Sequence, residues 1–211
     1  AQFAQREHTK HILPMVDEIL AQAGITLHQV DALVFGRGPG SFTGVRIGAG
    51  IAQGLAFGAE LLVIPVSNLA AMAQAAYVQY QAENVLTAID ARMNEVYFAQ
   101  WQAQKVRSDF GEFLDWQPMI AEQVCSPSKV IEQVAQQHHE NAVLAGTGWE
   151  AYPELKEANL GKATEITLPS ALYMLDLALP KWFAGETISP LEIEPIYLRN
   201  EVTWKKLPGR E

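Results

Sequence analysis

Cysteine is almost missing from this chain of 211 residues: Cys125 stands alone, which excludes an intrachain disulfide and points to a reducing compartment, the cytoplasm. Basic residues are scarce too. Lys and Arg total 15 against 24 Asp and Glu, a formal net charge of −9. Nucleic-acid binding draws most of its affinity from phosphate neutralisation, so any tRNA or DNA would have to be held with a partner's help. No run reaches the ~18 apolar residues that cross a bilayer. The longest weakly charged stretch, 47–57, is interrupted by Gly48, Gly50, Gln53 and Gly54 and reads as a small-residue helix. Low-complexity tracts and Ser/Gly linkers are missing as well. The chain opens on Ala1 without a starting Met or a signal-type segment, and the expectation is that an N-terminal piece has been lost.

What is present describes a folded α/β protein, 49% hydrophobic and 18% charged, with 15 Gly and 11 Pro. Ile12, Met15, Val16, Ile19, Leu20 and Ala23 recur at helical spacing up to Gly24, with Pro14 inside the pattern. A short strand, 32–35, runs into Gly36-Arg37-Gly38-Pro39-Gly40-Ser41, and a helix over 43–57 follows, capped by Ser41 or Thr43. A second strand, 61–66, leads to a helix over 69–80 with Ser67 or Asn68 at its entry. Strand, helix, strand, helix implies crossovers and a parallel sheet. Residues 85–91 and 95–101 then read as a hairpin about Arg92-Met93-Asn94, and 104–118 as a polar, weakly periodic stretch. A helix over 129–138, a strand over 142–145, a helix over 171–183 and an extended tail over 195–199 complete the pattern. A composition shift near Glu83 divides the chain into an N-terminal lobe, 1–83, and a C-terminal lobe, 84–211, whose tail is expected to pack back on the first.

The glycine-rich loop before the second helix admits two readings. Backbone N–H groups converging at a helix N-terminus favour an anion such as phosphate. Alternatively the glycines serve a tight turn and close helix packing, and the local evidence leans this way, since the spacing matches neither a dinucleotide fingerprint nor a P-loop. The helix itself carries Gly44, Gly48, Ala49, Ala52 and Ala56, small residues that let another backbone approach. Ile47, Ile51 and Leu55 are expected to face the sheet, leaving Val45, Gly48, Ala49, Ala52 and Ala56 for a partner helix. Asp90 and Arg92 at the hairpin mouth suit either a phosphate or metal-water contact or a plain turn held by ion pair and hydrogen bonds. Gly146-Thr147-Gly148 fits an adenosine-contacting turn or an ordinary glycine turn. His8 and His11 share a helix face without a third ligand, His138 and His139 point apart, and Cys125 has no neighbouring base, so it reads as inert packing.

Taken together, Arg6-Glu7-His8, the Gly36–Gly48 segment, Ile89-Asp90-Ala91-Arg92-Met93-Asn94-Glu95-Val96-Tyr97, Gly146-Thr147-Gly148-Trp149 and Pro195-Ile196-Tyr197-Leu198-Arg199-Asn200 closely resemble the TsaB (YeaZ) family of gamma-proteobacteria along the length of the chain. The resemblance implies an actin-like/sugar-kinase/Hsp70-type fold (ASKHA, RNase H-like) of two related α/β lobes. Such chains open with a strand carrying Ile-Asp-Thr and a hairpin, so the first lobe here is expected to be N-terminally truncated, with a sheet edge uncovered. The implied role is a noncatalytic subunit in the synthesis of N6-threonylcarbamoyladenosine at tRNA position 37. In that pathway TsaC makes the activated threonylcarbamoyl donor, TsaD transfers it, and the ATPase TsaE joins the TsaB–TsaD pair.

TsaD carries a His-x-x-x-His metal pair, and Asn68 and Met72 hold that spacing here. An amide and a thioether do not replace two imidazoles, which argues against metal catalysis and against a metallopeptidase. The leading expectation is therefore a scaffold: Ile12, Met15, Val16, Ile19, Val45, Gly48, Ala49, Ala52 and Ala56 form a surface for TsaD, or for a second copy when TsaD is absent, with TsaE and tRNA reached through the complex. No cofactor is required. The competing reading is an ATPase or kinase with Gly38, Gly40, Ser41, Asp90, Arg92, Gly146 and Gly148 around ATP; between the two lies weak ATP or ADP binding at a relic cleft without chemistry.

Overall fold

A computed structural model describes residues 8–199, with side chains from residue 10 onward. Arg6, Glu7, the side chain of His8, Asn200, Lys205 and Lys206 lie outside the described residues. The first half comprises α1 (His8–Ala23), β1 (Ala32–Gly36), α2 (Phe42–Gly58), β2 (Leu62–Val66) and α3 (Asn68–Tyr80). β1 and β2 pair in parallel, Ala32 opposite Leu62 through Gly36 opposite Val66. Hydroxyl caps fix the helix starts: the Gly44 N–H donates to Ser41 Oγ and the Ala70 N–H to Ser67 Oγ.

The second half is a five-stranded sheet of β3 (Asn84–Arg92), β4 (Glu95–Ser108), β5 (Gly111–Cys125), β6 (Val143–Ala145) and β7 (Lys162–Ala163), in the order β5-β4-β3-β6-β7. β3 pairs antiparallel with β4 and parallel with β6. The helices α4 (Pro127–Ala135), α5 (Gly148–Ala151) and α6 (Pro153–Glu157) belong to this half. Here the expectation for 104–118 is corrected. These residues lengthen β4 and β5 into a two-stranded ribbon that lies on α3, burying Trp116 and half-burying Ala103 and Leu114. The register from Gln102 opposite Gln117 to Ser108 opposite Gly111 is regular, but residues 104–112 are exposed on both faces, so no apolar alternation marks them.

The helix α7 (Ala171–Phe183) leaves the second half and packs on α3, β1 and β2. Beyond it, Ile188 and Val63 exchange backbone hydrogen bonds of 2.9 Å, Ile193 enters the core under α2, and the Ile196 N–H donates to the Arg37 carbonyl at 3.0 Å. The returning chain therefore caps the first half and passes beside the glycine-rich loop at Ile196.

The side of α2 that turns inward also differs from expectation. Val45, Ala49, Ala52 and Ala56 are buried, the three alanines against Phe35, Leu61, Val63 and Ile193, whereas Ile47, Ile51 and Leu55 are only half-buried. Small side chains let the helix axis approach the strands, and the bulkier aliphatics are left toward α1 and solvent. Among the described residues no helix is long and apolar enough to cross a membrane.

Candidate functional site

The loop from Gly36 to Ser41 is tied at every step. The Arg37 N–H donates to the Val66 carbonyl at 2.9 Å, the Asn68 N–H to the Gly38 carbonyl at 3.0 Å, and Asn68 Nδ2 to the Pro39 carbonyl at 3.0 Å. Gly38 sits at φ +104°, a conformation that L side chains rarely adopt, and its peptide bond to Pro39 is cis. Asn68 is thus the clamp of this loop, and Met72 is fully buried in the core, so the two positions with the metal-pair spacing do structural work. Among the described residues no group of three or more His, Cys, Asp and Glu side chains is placed to hold a metal ion.

The loop and the start of α2 form one wall of a cleft of about 610 Å³; the hairpin turn at Ala91–Met93 and the returning segment at Ile196–Arg199 form the rest. Gly40, Ser41, Asp90 and Arg92 line it, joined by residues that spacing alone had not singled out: Phe42, Arg46, Tyr97, Tyr197 and Arg199. All five lie within the segments that carry the family resemblance. The Phe42 and Tyr197 rings stand 5.2 Å apart and the Arg46 guanidinium lies 5.2 Å over the Phe42 ring. Neither Arg46 nor Arg92 forms an ion pair with a described residue, whereas Arg199 is committed to Glu95 Oε1 at 2.7 Å and the Ala91 carbonyl at 2.8 Å.

Asp90 serves the turn. Its Oδ1 accepts the Arg92 N–H at 2.9 Å and the Tyr152 hydroxyl at 2.8 Å. Burial and then that bond to Asp90 hold the Tyr152 phenol above its ordinary pKa. Gly146 and Gly148 do not join the cleft, which corrects the expectation that they surround a nucleotide. Both are buried against β3, where a Cβ on Gly146 would stand 2.0 Å from the Ala88 carbonyl oxygen and one on Gly148 2.8 Å from the Ala88 Cβ. A wider bowl of about 870 Å³ lies at the opposite end of β3, but its Asn84 amide is already spent on the His138 carbonyl at 3.1 Å.

The second candidate surface is the outer side of α1 and α2. Ile12, Met15 and Val16 are half-buried, and Ile19 is 62% exposed. Val45, Ala49, Ala52 and Ala56 are withdrawn from this surface, because their side chains fill the chain's own core. Gly50, Gly54 and Gly58 stay on it as one row, Gly48 lies round the helix from them, and a Cβ at any of the four would meet no atom of the described residues within 4 Å.

The family model for tRNA N6-adenosine threonylcarbamoyltransferase (TsaD) matches residues 2–186. The tRNA threonylcarbamoyladenosine biosynthesis protein TsaB of Haemophilus influenzae is 67% identical over 210 residues, 100% of this chain and 87% of that protein. The Escherichia coli protein of the same name is 50% identical over 208 residues, 98% of this chain and 87% of that one. Two solved Pseudomonas aeruginosa structures align. One, described as an uncharacterized protein with similarity to peptidase YeaZ, has a TM-score of 0.75 at 40% identity, covering 92% of this chain and 85% of that one. The other, YeaZ, has a TM-score of 0.74 at 37% identity, covering 90% and 84%. The fold is of the actin-like, sugar-kinase and Hsp70 type, and the chain belongs to the TsaB (YeaZ) family of tRNA threonylcarbamoyladenosine biosynthesis proteins.

Proposed function

We propose that the chain is a noncatalytic subunit of the cytoplasmic assembly that forms N6-threonylcarbamoyladenosine on tRNA. It docks through the outer faces of α1 and α2 on TsaD, and with it TsaE, or on a second copy of itself when TsaD is absent. The carrying observation is the row Gly50, Gly54 and Gly58, at four-residue spacing on the exposed side of α2 and each facing open space. Glycine in a helix interior costs about 1 kcal/mol against alanine, and among the described residues no atom uses the room. Close approach by another backbone does. The match to the TsaD family model favours a pairing of two related folds about a pseudo-twofold axis, which also accounts for self-association through the same face.

The test is Gly54→Arg with Ile47→Arg. Loss of TsaD capture and of dimer mass, with an unchanged circular dichroism spectrum, is expected; unchanged association rejects the surface. Threonylcarbamoylation of tRNA by the purified subunit without TsaD would reject the noncatalytic role.

A second reading concerns the cleft. Arg46 and Arg92, without ion-pair partners among the described residues, flank the N-terminus of the 17-residue α2. This arrangement favours ATP or ADP bound without chemistry. Calorimetry with ATP and magnesium is expected to give binding that Arg92→Ala abolishes. Hydrolysis would overturn it in favour of an ATPase.

A further inference from the structure

We propose that Glu122, in the second half, is a positioning residue that sets the start of α2 and so the docking face; the inference rests on the docking reading above. Two independent features of the fold converge on this side chain. The first is the register of β5 against β4. Phe98 faces Gln123 and Gln100 faces Ile120, so Ala121 and Glu122 together oppose the single residue Ala99. Two residues against one is a β-bulge, which turns a side chain away from the direction that regular pleating would give it.

The second feature is where that side chain arrives. Glu122 Oε2 accepts from Arg37 Nη2 at 2.9 Å, and Oε1 accepts the Ser67 hydroxyl. Arg37 lies in the loop that leads into α2 and also donates from Nη1 to the Gly38 carbonyl at 3.3 Å. Ser67 is the N-cap of α3, whose next residue, Asn68, clamps the same loop at Pro39. One carboxylate thus grips both ends of the loop's support. The side chains of Arg37 and Glu122 are 24% and 14% exposed, so solvent weakens the pair less than it would at an open surface. The loop caps α2 through Ser41, and a helix start held in place does not have to be ordered when a partner arrives.

A control lies within the same pair of elements. Trp116 Nε1 donates to Gln74 Oε1 at 2.9 Å, joining β5 to α3 without touching the loop. The experiment compares Glu122→Ala with Trp116→Phe in the purified protein. Three quantities are read: melting temperature, amide exchange over residues 40–48, and affinity for TsaD. Both variants are expected to melt earlier. Only Glu122→Ala is expected to speed exchange at the start of α2 and to weaken association, by about tenfold.

Arg37→Leu removes the pair from its other side, should Glu122→Ala fail to fold. The double variant is expected to lose little more than either single one. Wild-type affinity and exchange in folded Glu122→Ala overturns the proposal. Equal losses in Trp116→Phe, or fully additive losses in the double variant, do so as well. If the wild-type protein itself fails to associate with TsaD or with a second copy, the docking reading falls. The exchange comparison then still decides whether Glu122 holds α2.

Discussion

At the scale of single residues, two buried positions yield direct expectations. Gly146→Ala places a methyl group against the Ala88 carbonyl at a backbone φ of +111°. Overpacking of this kind costs about 1–3 kcal/mol before the strained φ is counted, so urea denaturation is expected to show at least that loss. Cys125 behaves differently. Burial first, and the nearby Glu95 charge second, push its thiol from the ordinary 9.0 to about 11. Between those two values the folded chain binds a proton that the unfolded chain has released, so this contribution to stability falls as pH rises through the window. Thermal melts from pH 8 to pH 11 are expected to drop more steeply for the wild type than for Cys125→Ala. A parallel decline would disprove the linkage. At neutral pH the thiol is expected to resist thiol reagents until the protein unfolds.

At the scale of elements, the glycines of α2 separate the needs of folding from those of docking. Gly50→Ala and Gly54→Ala add methyl groups in open space and improve helix propensity. Each is expected to raise stability by up to about 1 kcal/mol in chemical denaturation while weakening association with TsaD. Stabilisation without any loss of association would show that the glycines serve no partner.

The same helix shows what the sequence could and could not tell. Its ends were legible, because a hydroxyl cap after a glycine-rich turn is local chemistry. Its inward face was not: two sides are apolar, and the choice between Ile47 and Ala49 depends on how near the strands come. The ribbon of β4 and β5 was hidden for a related reason. Strands exposed on both faces, as at 104–112, have no apolar face to impose a period of two, and Pro118 reads as a breaker although it lies in the edge strand β5. In the cleft, Asp90 and Arg92 were legible inside one continuous motif. The grip of Glu122 on Arg37, 85 positions earlier, depends on register and leaves no local trace.

At the scale of the whole molecule, charge sets the relation to RNA. With a formal net charge of −9, the chain as a whole repels a phosphate backbone. Fluorescence anisotropy at physiological salt is expected to place tRNA affinity of the isolated subunit no tighter than about 10⁻⁴ M, the weak end of non-specific binding. Micromolar binding would assign RNA contacts to this chain itself.

The return of α7 to the first half has a consequence for synthesis. A ribosome releases β1, β2 and α3 long before residues 171–183 emerge, so the sheet waits through about ninety codons with its future lid still untranslated. Over that interval the nascent half offers a bare apolar layer to chaperones or to neighbouring polypeptides. Closure of the first half is therefore expected to wait for the synthesis of α7.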